Sequence, residues 1–368
     1  MAGTALHAAL RRATLLGLTA VTALLGVSLV ESTAAGAVPR PDSHSARDAL
    51  SGTRAGAAAG PSSSTQHSAL EQTKGLRPLR VIGFTRYPPL VAAQEFGYFA
   101  AEGLDVTFDI TPSSTFQMQG LARGEWDVAM TAFDNLLASA TREGVQSRAF
   151  AISDVRDLPF FVQPEIESYD DLRGKALGAD AVDTALALVL RRLLLAHGLD
   201  YARGDYELVA VGGTPQRLDS LLRKETWGAI LTPPESEAAR AAGLRQLGHH
   251  SEVLPDYPGS TMAATEAWLS VPANRDAAVR YLRAWMRAVR WVTDPANREA
   301  ALDLLVARLG IPRAAAENLL NAVATDNAPN PAGFASVLNM RADLGLATPA
   351  LPPIERFYDL GIYEQARQ

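Results

Sequence analysis

The chain of 368 residues contains no cysteine. This absence excludes disulfide bonds, thiolate metal ligands, cysteine nucleophiles and a lipid-modified N-terminal cysteine. It leaves the cellular compartment open, because many exported proteins fold without disulfides. The chain also lacks a basic excess, since its formal net charge is −6. A surface that binds nucleic-acid phosphates needs positive charge, so we expect no nucleic-acid partner.

Long apolar runs are scarce, and the clearest one lies near the N-terminus. Arg11 and Arg12 precede the apolar residues 13–30, and small residues follow as far as Ala37. A positive region, an apolar region and a small-residue cleavage site predict a secretory signal peptide over residues 1–37. The alternative is an uncleaved membrane anchor, because the apolar run comes close to spanning a bilayer. We therefore expect a secreted or periplasmic protein.

The segment that follows differs in composition from the rest of the chain. Residues 38–77 are rich in alanine, glycine, serine and proline, with almost no large apolar side chains. Such a segment buries too little apolar surface to offset its ordering entropy, so we interpret it as a disordered linker. The whole chain is 48% hydrophobic and 20% charged, and its length suits two lobes with ordinary cores.

Strand and helix patterns alternate from about Pro78 onward. Short apolar strands are predicted at residues 79–84, 104–110, 127–130, 175–178, 206–211 and 227–231. Helical patterns separate them, and a long amphipathic helix is predicted over residues 273–291 in a mostly helical C-terminal part. This alternation predicts parallel sheets covered by helices, and hence an α/β fold.

Two segments of the chain are similar to each other. LARGEWDVAMTAFD at residues 121–134 and LLRKETWGAILTPP at residues 221–234 share a leucine, a basic residue, a tryptophan and an apolar strand ending in threonine. Thr131 and Thr232 would then lie at the carboxyl ends of strands, where open α/β sheets bind ligands. Two such units facing one another predict a shared cleft.

Several stretches within residues 79–247 together resemble a known family. They are YPPLVAAQEFGYFAAEGLDVTF, LARGEWDVAMTA, DDLRGKALGAD and LTPPE. They resemble the solute-binding proteins of ABC transporters for nitrate, sulfonates, taurine and thiamine-pyrimidine precursors. The resemblance implies a two-lobed type II periplasmic-binding-protein fold with a mostly helical C-terminal part packed on the first lobe. Lobe 1 would comprise residues 78–163 plus 258–368, and lobe 2 residues 164–257.

The function that this resemblance implies is capture of a small polar or aromatic molecule by hinge closure and its delivery to an ABC permease. A monomer without cofactor, metal or catalytic residues is expected. The ligand would contact five loops: Arg86, Tyr87 and Pro88; Ser113, Ser114 and Thr115; Thr131, Phe133, Asp134 and Asn135; Asp180, Asp183 and Thr184; and Thr232, Pro233 and Glu235.

The first two loops favour an anionic or planar ligand. Residues 113–115 open a predicted helix, whose N–H groups and hydroxyls bind anions or simply cap the helix. Arg86 is a candidate for pairing with an anion, or it is merely solvated. Tyr87 can stack on a planar ligand, or it packs beside the helix.

The remaining loops favour a ligand that donates hydrogen bonds. Asp134 can accept from an amine, amide or hydroxyl, and it would repel a bare anion; otherwise it caps its helix. Asp180, Asp183 and Glu235 add carboxylates in the opposite lobe. If several of these acids face inward, the ligand has a cationic or strongly hydrogen-donating part.

Two other functions remain as alternatives. The fold is also similar to that of pyrimidine-precursor synthases and aromatic decarboxylases, so an enzyme is one of them. The cysteine-rich motif of the synthases is missing, however, and no nucleophile–base set is recognisable, so we expect no enzymatic activity. The other alternative is a ligand-sensing ectodomain held at the membrane by an uncleaved N-terminal segment.

Overall fold

A computed structural model describes residues 75–183, 185–346 and 351–368. The predicted signal peptide lies outside the described residues, and so does the predicted linker as far as residue 74. The first strand, β1, spans Arg77–Gly83. Within the described residues, the first strand begins one residue before Pro78, where the sequence pattern predicts folded structure to start.

The first sheet consists of β1, β2 (Leu104–Ile110), β3 (Val128–Ala132), β4 (Ser147–Ile152) and β10 (Ser260–Thr265). Its strand order is β2-β1-β3-β10-β4. β1 is parallel to β2 and β3, whereas β10 is antiparallel to β3 and β4. The prediction of a wholly parallel sheet is wrong, because β10 returns from the second lobe and inserts in the opposite direction.

Four helices follow the strands of this lobe: α1 (Pro88–Glu95), α2 (Tyr98–Ala101), α3 (Ser114–Ala122) and α4 (Phe133–Arg142). The sequence predicts one helix over residues 88–101, but the structure divides it into two. Gly97 lies between them with φ 65°, a left-handed conformation that glycine adopts at little cost. The break turns α2 toward β2, which it precedes.

The second sheet has the same arrangement as the first. It consists of β5 (Pro159–Val162), β6 (Ala176–Ala179), β7 (Glu207–Ala210), β8 (Gly228–Ile230) and β9 (Arg245–His249). The order is β7-β6-β8-β5-β9, with β6 parallel to β7 and β8, and β5 antiparallel to β8 and β9. Its helices are α5 (Ala185–Ala196), α6 (Thr214–Leu222) and α7 (Glu235–Ala241). The matching strand orders confirm the predicted internal repeat.

The chain crosses between the sheets twice. Residues 153–158 connect β4 to β5, and residues 250–259 connect β9 to β10. All four residues of β5 are buried, and they pair with β8 and β9. The first crossing therefore lies several residues before the expected boundary at residue 163.

The C-terminal part is mostly helical and packs largely on the first lobe. It contains α8 (Glu266–Leu269), α9 (Pro272–Thr293), α10 (Arg298–Leu309), α11 (Arg313–Asn321), α12 (Pro331–Asp343) and α13 (Leu360–Ala366). Helix α9 matches the predicted amphipathic helix and buries Trp285 in the core of that lobe. Helix α12 contacts α4 of the first lobe and α5 of the second.

Candidate functional site

Two adjoining cavities lie between the lobes. The outer cavity is lined by the loop after β1, the first crossing, residues 214–215, residues 232–235 and part of α11. The inner chamber is lined by Ala132, Asn135, Asp180, Ala185, Leu186 and Arg217. Phe84, Arg156, Thr214 and Thr232 line both, so the two cavities form one continuous cleft.

The structure brings only part of the predicted site residues to this cleft. Tyr87, Pro88, Thr232, Pro233 and Glu235 line the outer cavity, and Asn135, Asp180 and Thr232 line the inner chamber. The other predicted residues line neither cavity: Arg86, Ser113, Ser114, Thr115, Thr131, Phe133, Asp134 and Asp183. Thr184 lies outside the described residues.

Tyr87 forms part of the cavity wall but is mostly buried. Its ring packs edge-on against Trp285, with ring centroids 6.0 Å apart. Its hydroxyl donates to Ser260 Oγ over 3.3 Å, and burial raises its pKa to about 12. Tyr87 therefore presents an uncharged ring to the cleft.

The N-terminus of α3 already holds an anion, and this anion belongs to the protein. Ser113 caps the helix by accepting from the backbone N–H of Phe116 over 3.2 Å. Ser114 donates to Asp180 Oδ2 through its hydroxyl over 2.5 Å, and through its backbone N–H over 3.4 Å. The predicted anion-binding helix end of lobe 1 thus binds a carboxylate of lobe 2.

Asp134 is fully buried between three parts of the chain. Its Oδ1 accepts from Arg341 Nη1 over 2.9 Å, and its Oδ2 accepts from the backbone N–H of Ala185 over 2.6 Å. Burial raises the pKa of Asp134, although Arg341 and the N–H of Ala185 oppose this change. Both carboxylate oxygens have protein donors, so this residue joins α4 to α5 and α12.

The remaining predicted residues also contact protein groups or solvent. Asp183 pairs with Arg142 across the lobes, with 3.1 Å between Oδ1 and Nη1. Phe133 stacks on Phe334, with ring centroids 3.9 Å apart. Thr131 Oγ1 accepts from the amide of Asn135 over 2.8 Å. The side chain of Arg86 is exposed.

Two arginines that the sequence pattern does not single out line the inner chamber. Arg156 comes from the first crossing, and its side chain is only 12% exposed. Its Nε lies 3.4 Å from Asp154 Oδ1, and its Nη2 donates to Ser260 Oγ. Arg156 lines both cavities, so its positive charge lies at the boundary between them.

Arg217 is the second arginine, and it is 3% exposed. Its three nitrogens donate to neutral oxygens: the carbonyl of Ile230 (2.9 Å), the carbonyl of Gly212 (3.2 Å) and Thr214 Oγ1 (2.8 Å). Among the described residues it forms no ion pair. Burial lowers its pKa, although the charges of Asp180 and Glu235 oppose this change. An arginine in the first turns of a helix usually lies in solvent, so its sequence position gives little indication of this environment.

Comparison with known proteins agrees with this architecture. Residues 165–306 match the NMT1-like family. The nitrate-binding protein NrtA from Synechocystis PCC 6803 is 16% identical, with a TM-score of 0.67 over 79% of this chain and 88% of that one. The chain has the periplasmic binding protein fold. The predicted family resemblance and the two-lobed fold are both confirmed.

Other structures with the periplasmic binding protein fold differ in what they do. The alkanesulfonate-binding protein SsuA from Xanthomonas axonopodis pv. citri, bound to MOPS, is 16% identical, with a TM-score of 0.62 over 75% of this chain and 95% of that one. The desulfurization enzyme DSZB is 15% identical, with a TM-score of 0.53 over 79% and 99%. No curated protein matches the chain in sequence. At these identities the likeness shows the fold, and the function must be argued from the cleft.

Proposed function

We propose that this protein is the solute-binding component of an ABC import system and captures a small organic anion between its lobes. The main observation in favour of an anionic ligand is the buried charge of Arg217. A guanidinium that is 3% exposed and bonded only to neutral oxygens is costly to bury. An anionic ligand in the inner chamber would offset that cost.

The equivalent position in lobe 1 supports this interpretation. Gln117 and Arg217 lie one hundred residues apart at matching places in the repeat. The amide of Gln117 donates to the carbonyls of Ile82 (3.2 Å) and Met130 (3.1 Å). A neutral side chain is therefore sufficient to tie the helix to its strand. The positive charge of Arg217 exceeds what that contact requires.

The outer cavity supports an organic body for the ligand. Many of its wall residues are apolar, and they include Pro88, Pro89, Val155, Pro215 and Leu319. Ligand sites typically combine apolar walls with a few polar groups that fix orientation. An inorganic anion such as nitrate would leave these walls without contact. We therefore favour a carboxylate, sulfonate or phosphonate that carries carbon.

Contacts between the lobes support trapping by hinge closure. Ser114 binds Asp180 and Arg142 binds Asp183, each from one lobe to the other. The backbone N–H of Gly213 also donates to the carbonyl of Pro112 over 3.2 Å. These contacts support a closed arrangement of the lobes over the cleft, and we propose the two crossings as the segments about which the lobes would separate. A ligand that contacts both lobes shifts the population toward this closed form.

An extracytoplasmic location and delivery to a permease complete the proposal. The N-terminal pattern predicts export, and the fold is shared with periplasmic nitrate- and sulfonate-binding proteins. Of the helices in the described ranges, none has the length and apolar character to cross a membrane. Because DSZB shares the fold, incubation with bound ligands followed by product analysis tests the enzyme alternative. Sustained turnover would contradict a purely binding role.

The test of anion binding is a thermal-shift screen with organic carboxylates, sulfonates and phosphonates. A ligand present at one hundred times its Kd should stabilise the protein by about 2.7 kcal/mol. In Arg217→Gln, the neutral donor of lobe 1 replaces the charge, and the affinity should fall about a hundredfold. Arg223→Gln is the matched control, because Arg223 is 57% exposed and pairs with Glu225 at the end of the same helix. Unchanged affinity in Arg217→Gln would contradict the proposed site.

A further inference from the structure

The inner chamber contains a carboxylate oxygen that lacks a donor. Asp180 follows β6 directly and is 9% exposed. Its Oδ2 is held by Ser114, whereas its Oδ1 is buried without a hydrogen-bond partner among the described residues. A buried acceptor that stays unpaired costs free energy, so native structures rarely keep one. Asp180 is thus anchored through one oxygen and leaves the other for a donor in the chamber.

Asn135 supplies a second polar group on the lobe 1 side of the same chamber. It is 1% exposed, its Nδ2 donates to Thr131 Oγ1, and its Oδ1 has no partner in the described part of the chain. Because the Thr131 hydroxyl can both donate and accept, the side-chain amide of Asn135 can flip and still keep a hydrogen bond to Thr131. Asn135 can therefore adapt to a donor or an acceptor, whereas the Asp180 carboxylate only accepts.

The two arginines and Asp180 make the chamber a site of mixed charge. Arg156 and Arg217 can donate to an anion. In the described part of the chain neither lies within ion-pair distance of Asp180, although the charge of Asp180 acts on Arg217. A simple anion would satisfy the arginines but would be repelled by the carboxylate, and a simple amine would meet the opposite difficulty. A ligand that carries both groups satisfies the whole set.

We propose that the ligand is a zwitterion, or an anion bearing an N–H donor, whose anionic group binds Arg156 and Arg217 and whose donor binds Asp180. This proposal rests on the proposed anion-binding function and makes Asp180 the residue that determines specificity. Arg156, Arg217 and Asp180 all line this chamber, so a short carbon chain between the two ligand groups would let each group reach its partner. Any apolar remainder of the ligand extends past Arg156 into the outer cavity.

Matched pairs of ligands test the proposal on the unmodified protein by titration calorimetry. The pairs are butyrate with 4-aminobutyrate, propane-1-sulfonate with 3-aminopropane-1-sulfonate, and phenylacetate with phenylglycine. In at least one pair, the amino member should bind ten- to about a hundredfold tighter, as expected for a charged hydrogen bond. If anions bind but no pair shows this preference, the zwitterion proposal is overturned and the proposed function stands. If no compound in any pair binds, both proposals fail.

Variants then identify the residue that causes the preference for the amino member of a pair. Asp180→Asn keeps an oxygen that can accept from Ser114 but removes the negative charge, so it should lose most of the preference for the amino member. Asp183→Asn is the control, because that carboxylate lies nearby in the chain but is 41% exposed and pairs with Arg142. Arg217→Gln should weaken both members of a pair alike. A preference that persists in Asp180→Asn would assign the donor contact elsewhere and overturn the role of Asp180.

Discussion

The two lobes have the same strand order, yet matching positions in them have different chemistry. In lobe 1, Gln117 ties its helix to the carbonyl of Met130 with a neutral amide. In lobe 2, Arg217 makes the corresponding contact to the carbonyl of Ile230 and adds a buried charge. The helix-to-strand contact is common to both lobes. The charge distinguishes lobe 2, and the proposed function assigns it to ligand binding.

A second pair of matching positions, Asp134 and Pro234, also differs in chemistry between the lobes. Asp134 follows β3, is fully buried, and is held by Arg341. Pro234, one hundred residues later, follows β8 and lines the outer cavity. The end of the central strand therefore joins α4 to α5 and α12 in lobe 1, whereas in lobe 2 it forms part of the cavity wall.

The largest effect is expected from breaking the lobe 1 contact with Arg341→Met. This change leaves the Asp134 carboxylate buried without its cation, which typically costs about 3–5 kcal/mol. The free energy of unfolding, measured by urea denaturation at neutral pH, should fall by that amount. Pro234→Ala at the matching position of lobe 2 should cost much less.

A double variant separates the charge from the packing of the side chain. Asp134→Asn combined with Arg341→Met removes both charges and should be more stable than Arg341→Met alone. If the double variant is no more stable than the single one, then the buried pair is not what stabilises this region.

An intermediate effect is expected from changing the two matching helix residues in the ligand-free protein. Gln117→Leu leaves the carbonyls of Ile82 and Met130 without the donor, which should cost about 1–3 kcal/mol. Arg217→Gln can keep the donor to Ile230 and removes a buried charge that has no ion pair among the described residues, so its cost should be below about 1 kcal/mol. Denaturation curves of the two variants check the contrast. Equal losses would mean that Arg217 is structural in the way that Gln117 is.

Local sequence patterns were sufficient to predict most of the α/β alternation. The strand over residues 104–110 matches β2, because its apolar periodicity is set by neighbouring residues. β4, β5, β9 and β10 carry weaker patterns and were not predicted. β10, for example, pairs Thr261 with Thr131, a partner 130 residues away. Such strands are specified by distant partners, which local periodicity does not reveal.

The candidate site could be predicted only in part for the same reason. The positions of Asp134 and Asp180 at strand ends follow from the sequence, but their partners do not. Asp134 meets Arg341, which lies 207 residues later. The sequence therefore indicates where polar side chains lie near the strand ends. It does not indicate which of them bond to other protein groups and which stay available to a ligand. Arg217 could have been found by aligning the repeats, since a charge there replaces the neutral Gln117.

The smallest effect is expected at the turn that precedes the central strand of each lobe. Gly124 and Lys224 occupy it with φ of 74° and 57°, a left-handed conformation in both. In each lobe the flanking ion pair is the same, Arg123 with Glu125 and Arg223 with Glu225. A side chain in this conformation costs about 1–2 kcal/mol, partly offset because glycine makes the unfolded chain more flexible.

Exchanging the turn residues should therefore change stability in opposite directions. Lys224→Gly should raise the free energy of unfolding by up to about 1 kcal/mol, and Gly124→Lys should lower it by a similar amount. The ion pair of Lys224 with Glu165 will offset little of the gain, because both side chains are more than half exposed. Denaturant titration of both variants measures the difference. If both variants change the free energy of unfolding in the same direction, the two turns are not equivalent. If they change it in opposite directions and leave ligand affinity unchanged, the functional difference between the lobes lies in the cleft and not in these turns.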